Sequence, residues 1–237
     1  MPRIVKDYDD RYAEFVDVAE RLFLSQGYEQ TTVQQIIDTV GVAKGTFYHY
    51  FDSKQAILEA VVAELTTQAL ARFEAIVDDE SLNAIQKWSW AMRRVADWKI
   101  GRRDELLAFL RLVHADDNVL LLHKLRMQRA QMTVPILARI IEQGVEEGLF
   151  ETPCVREMAE MVYAVAEATS AGVTGILLNP QNYDCPETLV RRKMAALQTA
   201  TERILGADPG SLPMADEQIL APWFADWEAT RDPDTEK

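Results

Sequence analysis

Residues 44 to 51 read KGTFYHYF. Lys44, Thr46, Tyr48 and His49 supply an ammonium, a hydroxyl, a phenol and an imidazole there, and no carboxylate occurs between Gly41 and Asp52. A donor-rich, acid-free stretch suits contact with nucleic-acid phosphates and base edges, because a carboxylate would be repelled by the same surface. Enzymatic chemistry has little to work with. There is no G-x-S-x-G, and VGVAKGT lacks the glycine spacing of a phosphate-cradling loop. His114 and His123 stand nine residues apart and give a metal site little support, so no metal and no cofactor are expected.

Those donors need a rigid element to present them. Phe15, Val18, Ala19, Leu22 and Phe23 recur at helical spacing, and Gly27 stops that helix. Thr32 with Gln35 forms a capping box, so a second helix begins there with Val33, Ile36, Ile37 and Val40 on its apolar side and Gly41 as its end. The next helical segment, Ala43 to Tyr50, follows too soon for a wandering loop. Two short helices joined by a glycine turn predict a helix-turn-helix whose second helix can enter a major groove. Phe47 and Phe51 then belong to the core, while Tyr48 and His49 face outward.

The whole chain is acidic. Its 237 residues carry a formal charge of −13, and even the first 55 hold six Lys/Arg against nine Asp/Glu, a balance of −3. Any affinity for DNA therefore rests on where the donors sit, and it should weaken quickly with salt. Hydrophobic residues make up 48 % of the sequence, enough for a sizeable core, and no stretch alternates as successive strands would. An all-α protein is expected. MPRIVKDYDD has no apolar signal region, which points to the cytoplasm. Residues 161 to 178 approach membrane-spanning length but contain Glu167 and several hydroxyls and lack basic flanks, so they read as a buried helix with no membrane role.

Asp52 or Ser53 is expected to cap a long helix, and Ser81 to open another, with Trp88 and Met92 on one side and Trp90 and Trp98 on another. A shorter helix follows Gly101 and runs to about Asp116. The one after it contains Pro135, where a kink or break is expected. Thr152 and Pro153 are expected to start the next helix and Pro186 the last long one. Cys154 and Cys185 sit near those two starts, roughly 35 Å apart for antiparallel helices at ~1.5 Å per residue. That exceeds the ~7 Å a disulfide allows, so reduced, packed thiols are expected.

The run AERLFLSQGYEQTTVQQIIDTVGVAKGTFYHYFDSKQAILEAV, with a weaker echo in IIEQGVEEGLF, resembles the tetracycline-repressor (TetR) family of bacterial regulators. The resemblance implies that Lys44, Thr46, Tyr48 and His49 meet double-stranded operator DNA, and that Thr32 and Lys54 meet phosphates. Ala43 departs from the serine often found at its position and can neither cap the recognition helix nor offer a hydroxyl. Arg3 and Lys6 could form an arm onto the DNA backbone or remain a frayed tail. The implied organisation is a helix-turn-helix domain over 1-55, a helical ligand-binding and dimerisation domain over 56-206, and an acidic tail over 207-237 with a candidate docking helix.

Similarity to the family also implies a homodimer and a small-molecule effector. From Met161 to Tyr183 the sole charge is Glu167, and Ser170, Ala171, Gly172 and Gly175 would let a second subunit's backbone approach. Trp88, Met92, Phe109, His123, Met127, Tyr163 and Glu167 are the candidate effector contacts, a mixed aromatic and methionine set suited to apolar or aromatic molecules. Glu167 needs a partner if buried: an arginine, a ligand group, or its own proton. Trp223, Phe224 and Trp227 together would make an apolar patch and are expected to dock. The implied function is a ligand-released repressor. The alternative is a helix-turn-helix protein without a small-molecule sensor, controlled by a protein partner.

Overall fold

The computed structural model describes residues 7–113, 119–214 and 217–224. Arg3, Lys6, His114 and Trp227 lie outside the described residues. Regular structure is helical throughout those described: α1 (Tyr8–Gln26), α2 (Val33–Val40), α3 (Lys44–Tyr50), α4 (Lys54–Val77), α5 (Ala84–Gly101), α6 (Arg103–Val113), α7 (Val119–Glu146), α8 (Val155–Leu178), α9 (Pro186–Leu205) and α10 (Glu217–Leu220). Two compact units divide the chain, one taking Met1–Gln68 with Ala108–Gln128, the other Ala69–Leu107 with Arg129–Lys237.

The first unit is built around phenylalanines. Phe15, Phe47, Ile36, Ile57 and Leu58 are fully enclosed, with Phe23, Ile37 and Phe51 beside them. Phe47 meets the edge of Phe15 at 5.6 Å between ring centroids and lies 5.7 Å from Phe51, so α3 is pinned to α1 by ring packing. Gly27 (φ 88°) and Gly41 (φ 75°) end α1 and α2 in backbone conformations that favour glycine. Phe109 and Leu122 also pack against this core.

In the second unit Trp88, Ile140, Ile141, Ala159, Val162 and Leu205 form the centre of a larger apolar cluster. Arg139 pairs with Asp78 on the exposed surface of this unit. A smaller cluster gathers Ile176 from α8, Val190 from α9, and Leu220 and Phe224 from the C-terminal segment, where Phe224 is 1 % exposed. Arg93 of α5 reaches Gln218 at 3.4 Å, and Arg103 reaches the Trp223 carbonyl at 3.4 Å. The segment from 217 to 224 is thereby clasped onto the body. After α9, the Glu202 carboxylate accepts from the Gly210 and Leu212 amides at 2.9 and 3.1 Å, which folds the turn back on itself.

Several helix boundaries differ from the sequence reading. Ser81 is not the start of α5; its hydroxyl and amide are committed to Asp79 at 2.6 and 2.9 Å, while Asn83 and Gln86 form a reciprocal capping box. Helix α8 starts at Val155 with Cys154 in the cap position, later than Thr152 and Pro153 suggest. Pro135 does not break α7, since the helix runs through it with Val134, Ile136 and Leu137 anchored in the core on either side. The missing hydrogen bond is outweighed by that packing. Both cysteines are free and exposed, not packed, because they stand in cap positions at helix starts. Trp90 is 53 % exposed, whereas Trp98 is half-buried.

Helix α8 also departs from expectation. By length and composition it could cross a membrane, and 17 % of its apolar window is buried within the single chain. Helix α9 packs along it. Met161, Ala164, Ala168 and Ser170 are left exposed.

Candidate nucleic-acid interface

The turn between α2 and α3 is short because Gly41 reverses the chain in one residue, its amide and that of Val42 both donating to the Ile37 carbonyl at 2.9 and 3.3 Å. Helix α3 then buries Phe47 and turns the opposite side outward. Lys44, Gly45, Tyr48 and His49 are exposed, Tyr48 at 47 %, and Thr46 is half-buried. The Lys44 ammonium lies 5.9 Å from the Tyr48 ring centroid, so a cation and a phenol share one face. No acid stands on α3. The surface can therefore donate to phosphates or base edges without an intrinsic repulsive charge.

The flanking expectations fall as follows. Thr32 is exposed at the start of α2, and its hydroxyl accepts from the Gln35 amide at 3.2 Å while Gln35 accepts from the Thr32 amide at 2.7 Å. Ala43 caps α3 without any side-chain hydrogen bond, as an alanine must. Ser53, not Asp52, accepts from the Ala56 amide at 3.0 Å and opens α4. Lys54 lies over the Tyr28 ring at 3.9 Å and donates to the Glu29 carbonyl at 3.4 Å. Desolvation by these neighbours lowers its pKa, and the Glu29 charge opposes that shift.

Two residues on this face were not singled out from sequence. Tyr8, half exposed, meets His49 edge-on at 6.0 Å and lies 4.6 Å from Tyr50, fixing the end of α3 from α1. Gly45 is the other: a Cβ built there finds nothing within 4 Å and its φ is not positive. Nothing inside the protein requires glycine at that place. The signal in the sequence was a glycine one residue inside a helix with no turn to make.

Gly45→Ala should leave the melting temperature unchanged or raise it, since alanine favours a helix interior by about 0.5–1 kcal/mol over glycine. The same variant should bind operator DNA more weakly, because the added methyl stands where a DNA backbone would approach. Thermal denaturation and DNA titration on one preparation measure both, and unaltered affinity would remove the close-approach explanation.

The candidate effector contacts are divided between the two units: Trp88, Met92, Tyr163 and Glu167 fall in the second, Phe109, His123 and Met127 in the first. Trp88 is buried in the core of the second unit with its indole N–H unpartnered among the described residues, and Met92 and Tyr163 pack against the same cluster. Phe109 packs against the first unit's core, His123 is exposed and Met127 is 53 % exposed. Glu167 pairs with Arg129 at 2.9 Å and accepts from the Tyr163 hydroxyl at 3.4 Å. An open recess of about 400 Å³ lies elsewhere, along α9 and the turn after it, and its Glu202 and Gln198 are bonded to each other and to backbone.

Of the candidate dimer residues, Ser170 is exposed and Ala171 half-buried. A Cβ at Gly172 would lie 3.1 Å from the Lys193 amine of α9, whereas one at Gly175 meets nothing within 4 Å. No His/Cys/Asp/Glu group able to hold a metal occurs among the described residues.

The family described as "Bacterial regulatory proteins, tetR family" matches residues 15–61, the helix-turn-helix and its supports. The fatty acid metabolism regulator protein of Bacillus subtilis (strain 168) is 27 % identical over 181 residues, spanning 76 % of this chain and 90 % of that protein. The HTH-type transcriptional repressor KstR2 of Rhodococcus jostii (strain RHA1) is 33 % identical over 67 residues, 28 % of this chain and 33 % of its own length. Among solved structures, a TetR-family transcriptional regulator from Pectobacterium atrosepticum aligns with a TM-score of 0.60 at 17 % identity, covering 86 % of this chain and 98 % of that one, which is a likeness of fold. FadR from Bacillus subtilis in complex with stearoyl-CoA aligns with a TM-score of 0.53 at 25 % identity, covering 78 % and 97 %.

Proposed function

Because this chain belongs to the tetR family of bacterial regulatory proteins, a family of non-enzymatic transcription regulators, we propose that it is a ligand-released repressor. In this reading it grips a palindromic operator as a homodimer and leaves it when a small, largely apolar effector enters the helical body. One observation carries the DNA-binding half: α3 buries Phe47 and exposes Lys44, Tyr48 and His49 on a face without acids. Two copies of that helix about one DNA turn apart, ~34 Å, would read a palindrome.

The sensing half rests on the second unit. Trp88, Met92 and Tyr163 share an apolar cluster there, which suits an apolar molecule. The Bacillus subtilis FadR crystallised with stearoyl-CoA adds support for a long-chain effector. Helix α8, with Met161, Ala164 and Ser170 exposed and open space at Gly175, offers the face a second copy would cover. A ligand acts by preferring one spacing of the two reading heads over another.

The test is selection of binding sites from random duplex DNA, followed by titration. Expected are a palindromic site, two protomers per duplex, and release by a long-chain amphiphile. Binding as a single protomer, or without sequence preference, would refute the reading. Tight sequence-specific binding that no small molecule relieves would favour control by a protein partner instead.

A further inference from the structure

Three rings stand on one face of α1 at helical spacing: Tyr8, Tyr12 and Phe15. Each meets rings of α3 or of Phe51, which ends it. Between ring centroids, Phe15 lies 5.6 Å from Phe47 and from Tyr50 and 5.9 Å from Phe51, Tyr12 lies 5.1 Å from Phe51, and Tyr8 lies 4.6 Å from Tyr50 and 6.0 Å from His49. Burial falls along the row. Phe15 is fully enclosed, Tyr12 is 37 % exposed and Tyr8 is 50 % exposed. The inner ring therefore belongs to the core, whereas the outer one removes little apolar surface from water, and its contacts serve position more than stability.

On the reading face, the residue that this outer ring touches is His49. It is exposed, and no hydrogen bond or ion pair holds its imidazole among the described residues. The rings that meet it there are Tyr8, at an interplanar angle of 81°, and its own chain neighbour Tyr50 at 5.3 Å. Tyr8 packs on Tyr50 as well, so one phenol braces both side chains. An unbraced surface imidazole would populate several rotamers, and binding would have to select one of them. Tyr8 itself is poorly placed to touch the duplex. Asp7, Asp9 and Asp10 flank it in sequence and are exposed, and their carboxylates would repel a phosphate. Those acids serve the helix instead: the Asp7 carboxylate accepts from the Tyr8 amide at 2.6 Å, and Asp9 and Asp10 stand in the first turn, where negative charge favours a helix.

We propose that Tyr8 is a positioning residue that sets sequence specificity: its ring holds the His49 imidazole in the orientation that reads a base, and it makes no contact with DNA. The proposal rests on the DNA-binding half of the reading above and adds to it a residue from outside α2 and α3. Fixing one side chain before binding removes an ordering cost, which is worth roughly two- to tenfold in affinity per reading head. That gain falls on the sequence His49 reads and not on DNA at large.

The experiment measures the affinity of the full chain for the selected operator and for duplexes substituted at each of its base pairs. His49→Ala should flatten the preference at one base pair, which identifies the position His49 reads. Tyr8→Ala should flatten the preference at that same position by about two- to tenfold and leave the other positions and the melting temperature as in the parent. Tyr8→Phe, which keeps the ring, should behave as the parent. Tyr8→Leu, which keeps apolar bulk and helix propensity without a ring, should follow Tyr8→Ala and takes its place if the alanine variant melts early. Combined with His49→Ala, the Tyr8→Ala change should cost no further discrimination, because nothing is left to position. A loss shared evenly by all duplexes, a loss that adds to that of His49→Ala, or a Tyr8→Phe variant as weak as Tyr8→Ala each overturns the proposal, the last by giving the hydroxyl a contact of its own. Parent-like discrimination in Tyr8→Ala or in His49→Ala overturns it too. Lys44→Ala in the same titrations separates that outcome from failure of the DNA-binding reading: if it still loses affinity, α3 reads DNA without Tyr8.

Discussion

Lys44→Ala and Tyr48→Ala should each weaken operator binding by at least about tenfold while the protein melts as before. The two side chains stand on the exposed face of α3, and the core of the first unit does not use them: Tyr48 is 47 % exposed and Lys44 is exposed. Each base or phosphate contact is worth roughly 1–3 kcal/mol, and a two-headed complex loses it twice. The variants should be distinguishable from one another. If Lys44 meets a phosphate, its removal also flattens the dependence of affinity on salt by about one counterion per head, and does so on every sequence. A loss confined to the cognate sequence would assign Lys44 to base reading instead. Should both variants bind as tightly as the parent, α3 is not the reading surface.

Phe47→Ala should give the opposite pattern, with stability lost first and binding lost as its consequence. Its ring is fully buried and lies within 5.7 Å of both Phe15 and Phe51, centroid to centroid. Truncating a buried phenylalanine costs about 3–5 kcal/mol, through lost burial and the cavity left behind. Against a typical total of 5–15 kcal/mol for a domain, that is enough to unfold much of a small three-helix head near physiological temperature. Chemical denaturation followed by far-ultraviolet circular dichroism measures the loss, and a midpoint within experimental error of the parent would show that the ring cluster does not hold α3. Phe47→Leu, which refills most of the volume, should recover part of both stability and DNA affinity.

Local rules made the reading head legible from sequence. Thr32, Gln35 and Gly41 mark the bounds of α2 by hydrogen bonds within a few residues, so the sequence alone placed the turn and the helix after it. Longer-range choices were less visible. Ser81 looked like a cap because it precedes an apolar run, but Asp79 claims its hydroxyl, and Asn83 has its own reciprocal partner in Gln86. Pro135 looked like a break because the local cost is plain, whereas the packing of Ile136 and Leu137 that offsets it depends on distant chain. Among the candidate effector contacts, composition could propose Phe109 and Met127 but could not assign them a neighbour. Phe109 belongs to the other core and Met127 faces outward.

The clasp formed by Leu220 and Phe224 has a bearing on synthesis. Ile176 and Val190 are covered by residues made thirty or more positions later, so α8 and α9 leave the ribosome with an oily notch between them that the nascent chain cannot yet fill. A message cut short between codons 206 and 217 would yield a polypeptide with every reading element intact and that notch open, a feature by which quality-control machinery could tell an unfinished copy from a finished one.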